Sequence, residues 1–131
     1  MITHNQNEDT MNTQSINALI VCILLLAIPT FGHAHVHLDE SSPGKNEVLS
    51  TAPSSIKLWF SGKVESEWSK IEVKDAQGNR VDNGKVSSID NDPKTLIMPL
   101  STLSSGKYEV SWNIVASDGH RIKGNLSFTV E

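Results

Sequence analysis

Apolar and polar residues alternate along several short segments of the chain, a pattern that predicts strands with one buried face. Residues 54–60, 108–115 and 124–130 each carry apolar side chains at alternate positions. The alternation is strongest in residues 108–115, where Tyr108 and Trp112 fall on the same face. We therefore expect these three segments to form core-facing strands of a β-rich domain.

Turn-forming residues separate or end the other candidate strands. Residues 71–74 alternate and run into the polar segment 75–79, which predicts a hairpin that returns at residues 80–81. Residues 95–100 favour a further strand, whose proline suits a strand end or an edge because proline donates no ladder hydrogen bond. Residues 87–93 are largely polar, which predicts a loop, and no stretch has a convincing helical period.

Short strands with turns about every 8 to 12 residues, in about 100 residues, predict one all-β domain built as a sandwich or Greek-key barrel. Such folds carry function in their end loops. We expect the tryptophans Trp59, Trp68 and Trp112 to be packing residues, because aromatic side chains dominate β cores. We assign solvated positions and no chemistry to four acidic residues, Glu65, Glu67, Asp90 and Asp92.

The amino-terminal segment differs from the rest of the chain. Residues 18–29 are almost wholly apolar, but about 12 residues are too few to span a bilayer, which needs about 20. Small residues at Gly32 and Ala34 fit a signal-peptidase site, so we predict that residues 1–34 are a signal peptide cleaved after Ala34. No basic residue precedes the apolar run, and translation could instead begin at Met11. An uncleaved anchor helix is the alternative.

The charges and cysteines of the exported part, residues 35–131, limit its chemistry. It holds 13 acidic and 11 basic residues, so it is nearly neutral and lacks the cluster of basic residues that nucleic-acid binding requires. The one cysteine, Cys22, lies in the apolar run, so no disulfide is available after cleavage. We expect a monomer that is not embedded in the membrane and folds around one hydrophobic core.

Three histidines, His35, His37 and His120, belong to the exported part. Cleavage would give His35 a free α-amine beside its imidazole, and these two nitrogens can chelate one metal ion. Asp118 and His120 lie two positions apart between two predicted strands. In an extended segment this spacing points both side chains to the same side, and the glycine between them lets the backbone bend.

The combined ligand set predicts a copper site. The amine and imidazole of His35, with His120 and Asp118, supply three nitrogens and one carboxylate oxygen, a set that suits tetragonal Cu(II). Zinc is an alternative metal, but Cu(II) binds such nitrogen sites more strongly. Met98 is the only methionine of the exported part, so a thioether site for Cu(I) is not expected.

His37 offers a second way to bind Cu(II). It is the third residue of the exported part, so the amine, two deprotonated amides and its imidazole can wrap the ion in a square plane. His37 is therefore a candidate additional ligand, a transfer station, or only a polar strand residue. For Asp118 and Gly119, the alternative is a plain turn between strands.

The exported part resembles the CopC family of periplasmic copper-resistance proteins over nearly all of its length. The resemblance is carried by residues 35–38 with 41–43, residues 58–61, and residues 108–112 leading through 117–120 to 124 and 127–130. The last of these blocks is the most specific.

The resemblance implies an immunoglobulin-like Greek-key β-sandwich or barrel of about seven strands. It implies a periplasmic protein that binds Cu(II) through His35, Asp118 and His120 and carries, buffers or delivers copper for homeostasis and resistance. Members of the family often act beside a CopD-type inner-membrane copper transporter.

The chain departs from the family pattern at positions close to the implied site. Gly62 and Lys63 replace the glutamate and proline that commonly follow the Phe-Ser pair, and Lys123 stands where less charged residues are usual. If that glutamate supports the amino-terminal amine, its loss loosens the site, and losses of this kind cost about 10- to 100-fold in metal affinity.

Two functions of other classes remain as alternatives to a copper carrier. A copper oxidase or monooxygenase can use an amino-terminal histidine brace, but Asp118 would fill a position that oxygen chemistry needs open. An immunoglobulin-like structural module would carry its histidines without metal. We expect a binding protein and no enzymatic activity.

Overall fold

The computed structural model describes residues 35–89 and 91–131, and these residues form two four-stranded sheets. The described strands are β1 (Leu38–Ser42), β2 (Val48–Leu49), β3 (Ser55–Phe60), β4 (Lys70–Lys74), β5 (Ser87–Ile89), β6 (Asp92–Pro99), β7 (Gly106–Val115) and β8 (Arg121–Val130). One 3-10 helix, Ser66–Trp68, lies between β3 and β4. The predicted signal peptide contains Cys22 and ends at the predicted cleavage point after Ala34. All of it lies outside the described residues.

The strand order follows a Greek-key path. The first sheet has the order β1-β3-β6-β5 and the second the order β2-β8-β7-β4. Each pairing is antiparallel except that of β2 with β8. Because β3 pairs with β6 while β4 joins the other sheet, the chain crosses between the sheets. The prediction of an all-β Greek-key sandwich is confirmed, with eight strands in the described residues.

The core lies between the two sheets and is made by the side chains that the alternating pattern places inward. The second, fourth and sixth residues of β3 are all buried, and the same alternation runs through β7 and β8. Burying one such side chain contributes about 1.5–3 kcal/mol. The largest fully buried hydrophobic residues are Phe128, Ile56, Leu58, Ile71, Leu96, Ile114, Val73 and Val110.

Trp112 is buried, as predicted, and its ring packs against its cross-strand neighbour Gly124. A Cβ atom added at Gly124 would clash with the Trp112 ring. Glycine at this position therefore gives the indole its place in the core.

Several sequence predictions are wrong in detail. Residues 87–93 are not a loop: they contain β5 and the start of β6, which pair with each other. All three β5 residues are exposed, so this edge strand has no buried face for the pattern to reveal. The turn at 75–79 is present, but the returning arm is reduced to one bridge between Lys74 and Arg80. Trp68 is not a packing residue, since 70% of it is exposed.

Within residues 35–89 and 91–131, no helix is both long enough and apolar enough to cross a membrane.

Candidate metal site

A tight turn joins β7 to β8 at one end of the sandwich. The N–H of Ala116 donates to His120 O at 2.8 Å, and the N–H of Gly119 donates to Ala116 O at 2.8 Å. Gly119 has a φ of +87°, a left-handed conformation that glycine adopts without the steric cost of a Cβ. The turn thus closes the β7–β8 hairpin and presents its side chains outside the core.

Asp118 and His120 form a hydrogen-bonded pair on this turn. Asp118 Oδ1 accepts from the His120 N–H at 3.0 Å, and Asp118 Oδ2 lies 2.9 Å from His120 Nδ1. The hydrogen bond from the His120 side chain, then that from its backbone amide, lowers the pKa of Asp118. The two side chains therefore meet, but through an Asx-type turn and not through the predicted extended segment.

A segment following β3 fastens the turn to the body of the domain. Lys63 O accepts from the Ser117 N–H at 3.0 Å, and Glu65 N–H donates to Val115 O at 2.8 Å. The Ser117 hydroxyl also donates to Glu65 Oε1 at 2.9 Å. Glu65, to which we assigned no chemistry, thus supports the residue that precedes Asp118. No sequence signal could identify this contact, because Glu65 and Ser117 lie on distant parts of the chain.

His35 lies beside the turn although it stands at the other end of the described residues. The His35 and His120 ring centroids are 5.6 Å apart, with an interplanar angle of 63°. Both side chains are exposed. Two imidazoles that sequence reasoning assigned to one site are therefore neighbours in the fold.

Val36 packs against Gly62, one of the two positions at which the chain departs from the pattern expected from the resemblance. It is partly buried against the core, and a Cβ atom at Gly62 would stand 2.7 Å from Val36 Cγ2. Any side chain at position 62 would require Val36 to move. Glycine at position 62 therefore accommodates the valine next to His35.

The His37 ring contacts Asp39, Ser61 and the backbone oxygen of His35, which lies 3.3 Å from His37 Nδ1. Its Nε2 lies 3.0 Å from Asp39 Oδ1, its backbone N–H donates to Ser61 Oγ at 3.0 Å, and its Nδ1 lies 3.2 Å from the same hydroxyl. In the described residues no three histidine, cysteine, aspartate or glutamate side chains form a preformed metal-ligand group. The contacts are pairwise, His35 with His120 and His120 with Asp118, and His120 belongs to both.

Comparisons with a family model, with curated proteins and with solved structures all find the same kind of domain. Residues 38–131 match the model of the CopC domain, so the match begins three residues after His35. The chain is 32% identical over 124 residues to copper resistance protein C of Xanthomonas campestris pv. juglandis, which covers 90% of this chain and 97% of the relative. It is 31% identical over 113 residues to the copper transport protein CutJ of Bacillus subtilis, covering 86% of this chain but only 21% of that longer protein.

A solved structure shares the fold as well. The crystal structure of CopC from Methylosinus trichosporium OB3b superposes with a TM-score of 0.70 at 31% identity, covering 74% of this chain and 94% of that one.

Proposed function

The chain belongs to the CopC domain family, and we propose that its exported form binds one Cu(II) ion between His35 and the Asp118–His120 turn, in order to carry or buffer copper. The family membership supports copper homeostasis and resistance as the process, because relatives are named copper resistance and copper transport proteins. The donor atoms of His35, Asp118 and His120 support the choice of Cu(II) and of these ligands.

The proposed ligands are the α-amine and imidazole of His35, the imidazole of His120 and a carboxylate oxygen of Asp118. The single observation that carries the proposal is the approach of the His35 and His120 rings to a centroid distance of 5.6 Å. Three nitrogens and one oxygen favour tetragonal Cu(II) over Cu(I), which prefers thioethers and thiolates.

The spacing within the Asp118–His120 pair suits a shared metal ion. Two neighbouring ligands at right angles, each about 2.0 Å from a metal, stand about 2.8 Å apart. Asp118 Oδ2 and His120 Nδ1 are 2.9 Å apart. Copper can therefore replace the proton between these two atoms with little movement of the turn, while Asp118 Oδ1 keeps its bond to the backbone.

A carrier is favoured over an enzyme because the ligand set leaves no equatorial position open for oxygen. We propose that cleavage after Ala34 creates the amine and that the protein acts as a monomer in the periplasm. A membrane copper transporter of the CopD type is the proposed partner. The match to a part of the longer protein CutJ supports a domain of this kind working beside a transport portion.

The test is a Cu(II) titration of the exported form, with its first residue confirmed by mass. We expect one tightly bound Cu(II), weakened by His120→Ala and by extra residues ahead of His35. Unfolding of each variant is followed in parallel, because exposed residues of this kind change stability by about 0.5 kcal/mol or less. An affinity that neither change lowers would exclude the shared site.

A further inference from the structure

One hydroxyl group, that of Ser61, contacts both nitrogen atoms of His37 that a local copper chelate would need. It accepts from the His37 N–H at 3.0 Å and lies 3.2 Å from His37 Nδ1. On the other side of the ring, Nε2 lies 3.0 Å from Asp39 Oδ1. The backbone oxygen of His35 also lies 3.3 Å from His37 Nδ1. With a neutral imidazole, Nε2 donates to Asp39 and Nδ1 accepts from the Ser61 hydroxyl, and the approach to His35 O then carries no hydrogen bond.

The backbone on both sides of His37 is held against the same segment. Ser61 N–H donates to His37 O at 2.9 Å, so the two residues bond to each other in both directions. Val36 packs on Gly62, where there is no room for a Cβ atom. The start of the exported part is therefore laid along residues 61–62.

The local wrap of Cu(II) requires a different conformation. Its four ligands are the His35 amine, the amide nitrogens of Val36 and His37, and the His37 imidazole, all in one square plane. In the fold, the amide and Nδ1 of His37 are both occupied by Ser61. Forming the wrap would break these bonds and lift Val36 from its contact with Gly62.

We infer that Ser61 selects between two Cu(II) sites at the amino terminus. By holding His37, it disfavours the wrap and leaves the His35 amine to the shared site with His120. This inference depends on the proposed function in one respect, since both sites use the amine that cleavage creates. Ser61 acts through His37 and is thus a positioning residue.

The test removes the shared site and then measures the wrap. In exported protein carrying His120→Ala, we would compare Ser61→Ala with Ser101→Ala by chelator competition for Cu(II) and by visible and EPR spectra. Ser101 is a matched control, because it is an exposed serine beyond the end of β6. Among the described residues, its one hydrogen bond outside the strand ladders is from its backbone N–H to Val81 O.

We expect Ser61→Ala to raise the Cu(II) affinity of the His120→Ala protein about tenfold, through the loss of two competing hydrogen bonds. The visible band should move to shorter wavelength as amide nitrogens enter the plane. Ser101→Ala should change neither property, and adding His37→Ala should remove the gain. No gain from Ser61→Ala, or a gain that survives His37→Ala, would overturn the inference. Failure of the proposed function shows separately, as wild-type binding that does not depend on His120.

Discussion

Two aspartates of the domain have nearly the same local chemistry and different surroundings. Asp82 accepts from the Val73 N–H at 2.9 Å and from two nitrogens of Arg80, at 3.1 and 2.6 Å. Asp118 accepts from the His120 N–H and contacts the His120 ring. Each carboxylate thus pairs with a nitrogen side chain two positions away and with one backbone amide, but the Asp82 side chain is 5% exposed and that of Asp118 is 42% exposed.

The difference separates a structural pair from one that can exchange its partner. Arg80 stays protonated under all ordinary conditions, and its guanidinium cannot bind a metal. His120 can give up its proton, and its ring nitrogen is then a copper ligand. Because Asp118 and His120 are exposed, the turn can accept an ion without opening the core. We therefore expect mutations at Asp82 to change stability and mutations at Asp118 to change copper binding.

The largest expected effect on stability in this comparison comes from Asp82→Ala. The change leaves the Val73 amide without its acceptor and removes the charge-assisted bonds to Arg80, which together should cost about 2 kcal/mol of unfolding free energy. Urea unfolding would measure it. Asp82→Asn, which keeps an acceptor for Val73, should cost less. Equal losses in the two variants would assign the whole effect to the charge.

The same variant has a defined pH dependence. Burial raises the pKa of Asp82, but the hydrogen bonds from Arg80 and Val73 outweigh it, so the pKa in the folded protein is lowered. A lowered folded pKa stabilises the fold above the unfolded value, about 3.9, and this contribution is lost as the pH falls through the folded value. The stability difference between wild type and Asp82→Ala should therefore be full near pH 7 and shrink below about pH 4.

Asp118→Asn should change copper binding and leave stability nearly unchanged, the reverse of what is expected for Asp82→Ala. The amide oxygen can still accept from the His120 N–H, so the turn persists and stability should stay within about 0.5 kcal/mol of wild type. The lost carboxylate should lower Cu(II) affinity about 10- to 100-fold.

Asp75→Asn is the matched control for Asp118→Asn. Asp75 also accepts a hydrogen bond from the backbone amide two residues on, that of Gln77, but contacts no histidine. The Asp75→Asn variant should therefore bind copper with wild-type affinity. An Asp118→Asn protein with wild-type affinity would remove Asp118 from the ligand set.

The part of the fold that sequence reasoning predicted is the part with one buried face. Residues of β3, β7 and β8 alternate between core and surface, and the same two-residue period of apolar side chains is visible in the sequence. No residue of β1 or β5 is fully buried, so the pairing of these strands depends on backbone hydrogen bonds that leave no hydrophobic pattern in the sequence. Trp68 is misleading for a related reason: its residue type predicts burial, but it lies on an exposed 3-10 turn.

The candidate site divides in the same way. The spacing of Asp118 and His120 predicted that their side chains meet, although the turn that brings them together is not the extended segment from which the prediction was made. The hydrogen bonds that hold the site residues in place could not be predicted from the sequence. Ser61 reaches His37, and Glu65 reaches Ser117, only after strands distant in sequence have paired. Contacts of this kind depend on tertiary register, which one sequence does not reveal.

The smallest expected effect concerns the link between Ser117 and Glu65. Ser117→Ala removes one exposed hydrogen bond next to Asp118, so Cu(II) affinity should fall about two- to threefold with no measurable change in stability. Glu65→Ala should cause the same fall, and the double variant should fall no further, because both changes remove one interaction. Glu65→Gln keeps an acceptor and should bind copper like wild type, as should the nearby Glu67→Ala. Additive losses in the double variant would mean that Glu65 acts on the copper through its charge, and that the turn holds its shape without this link.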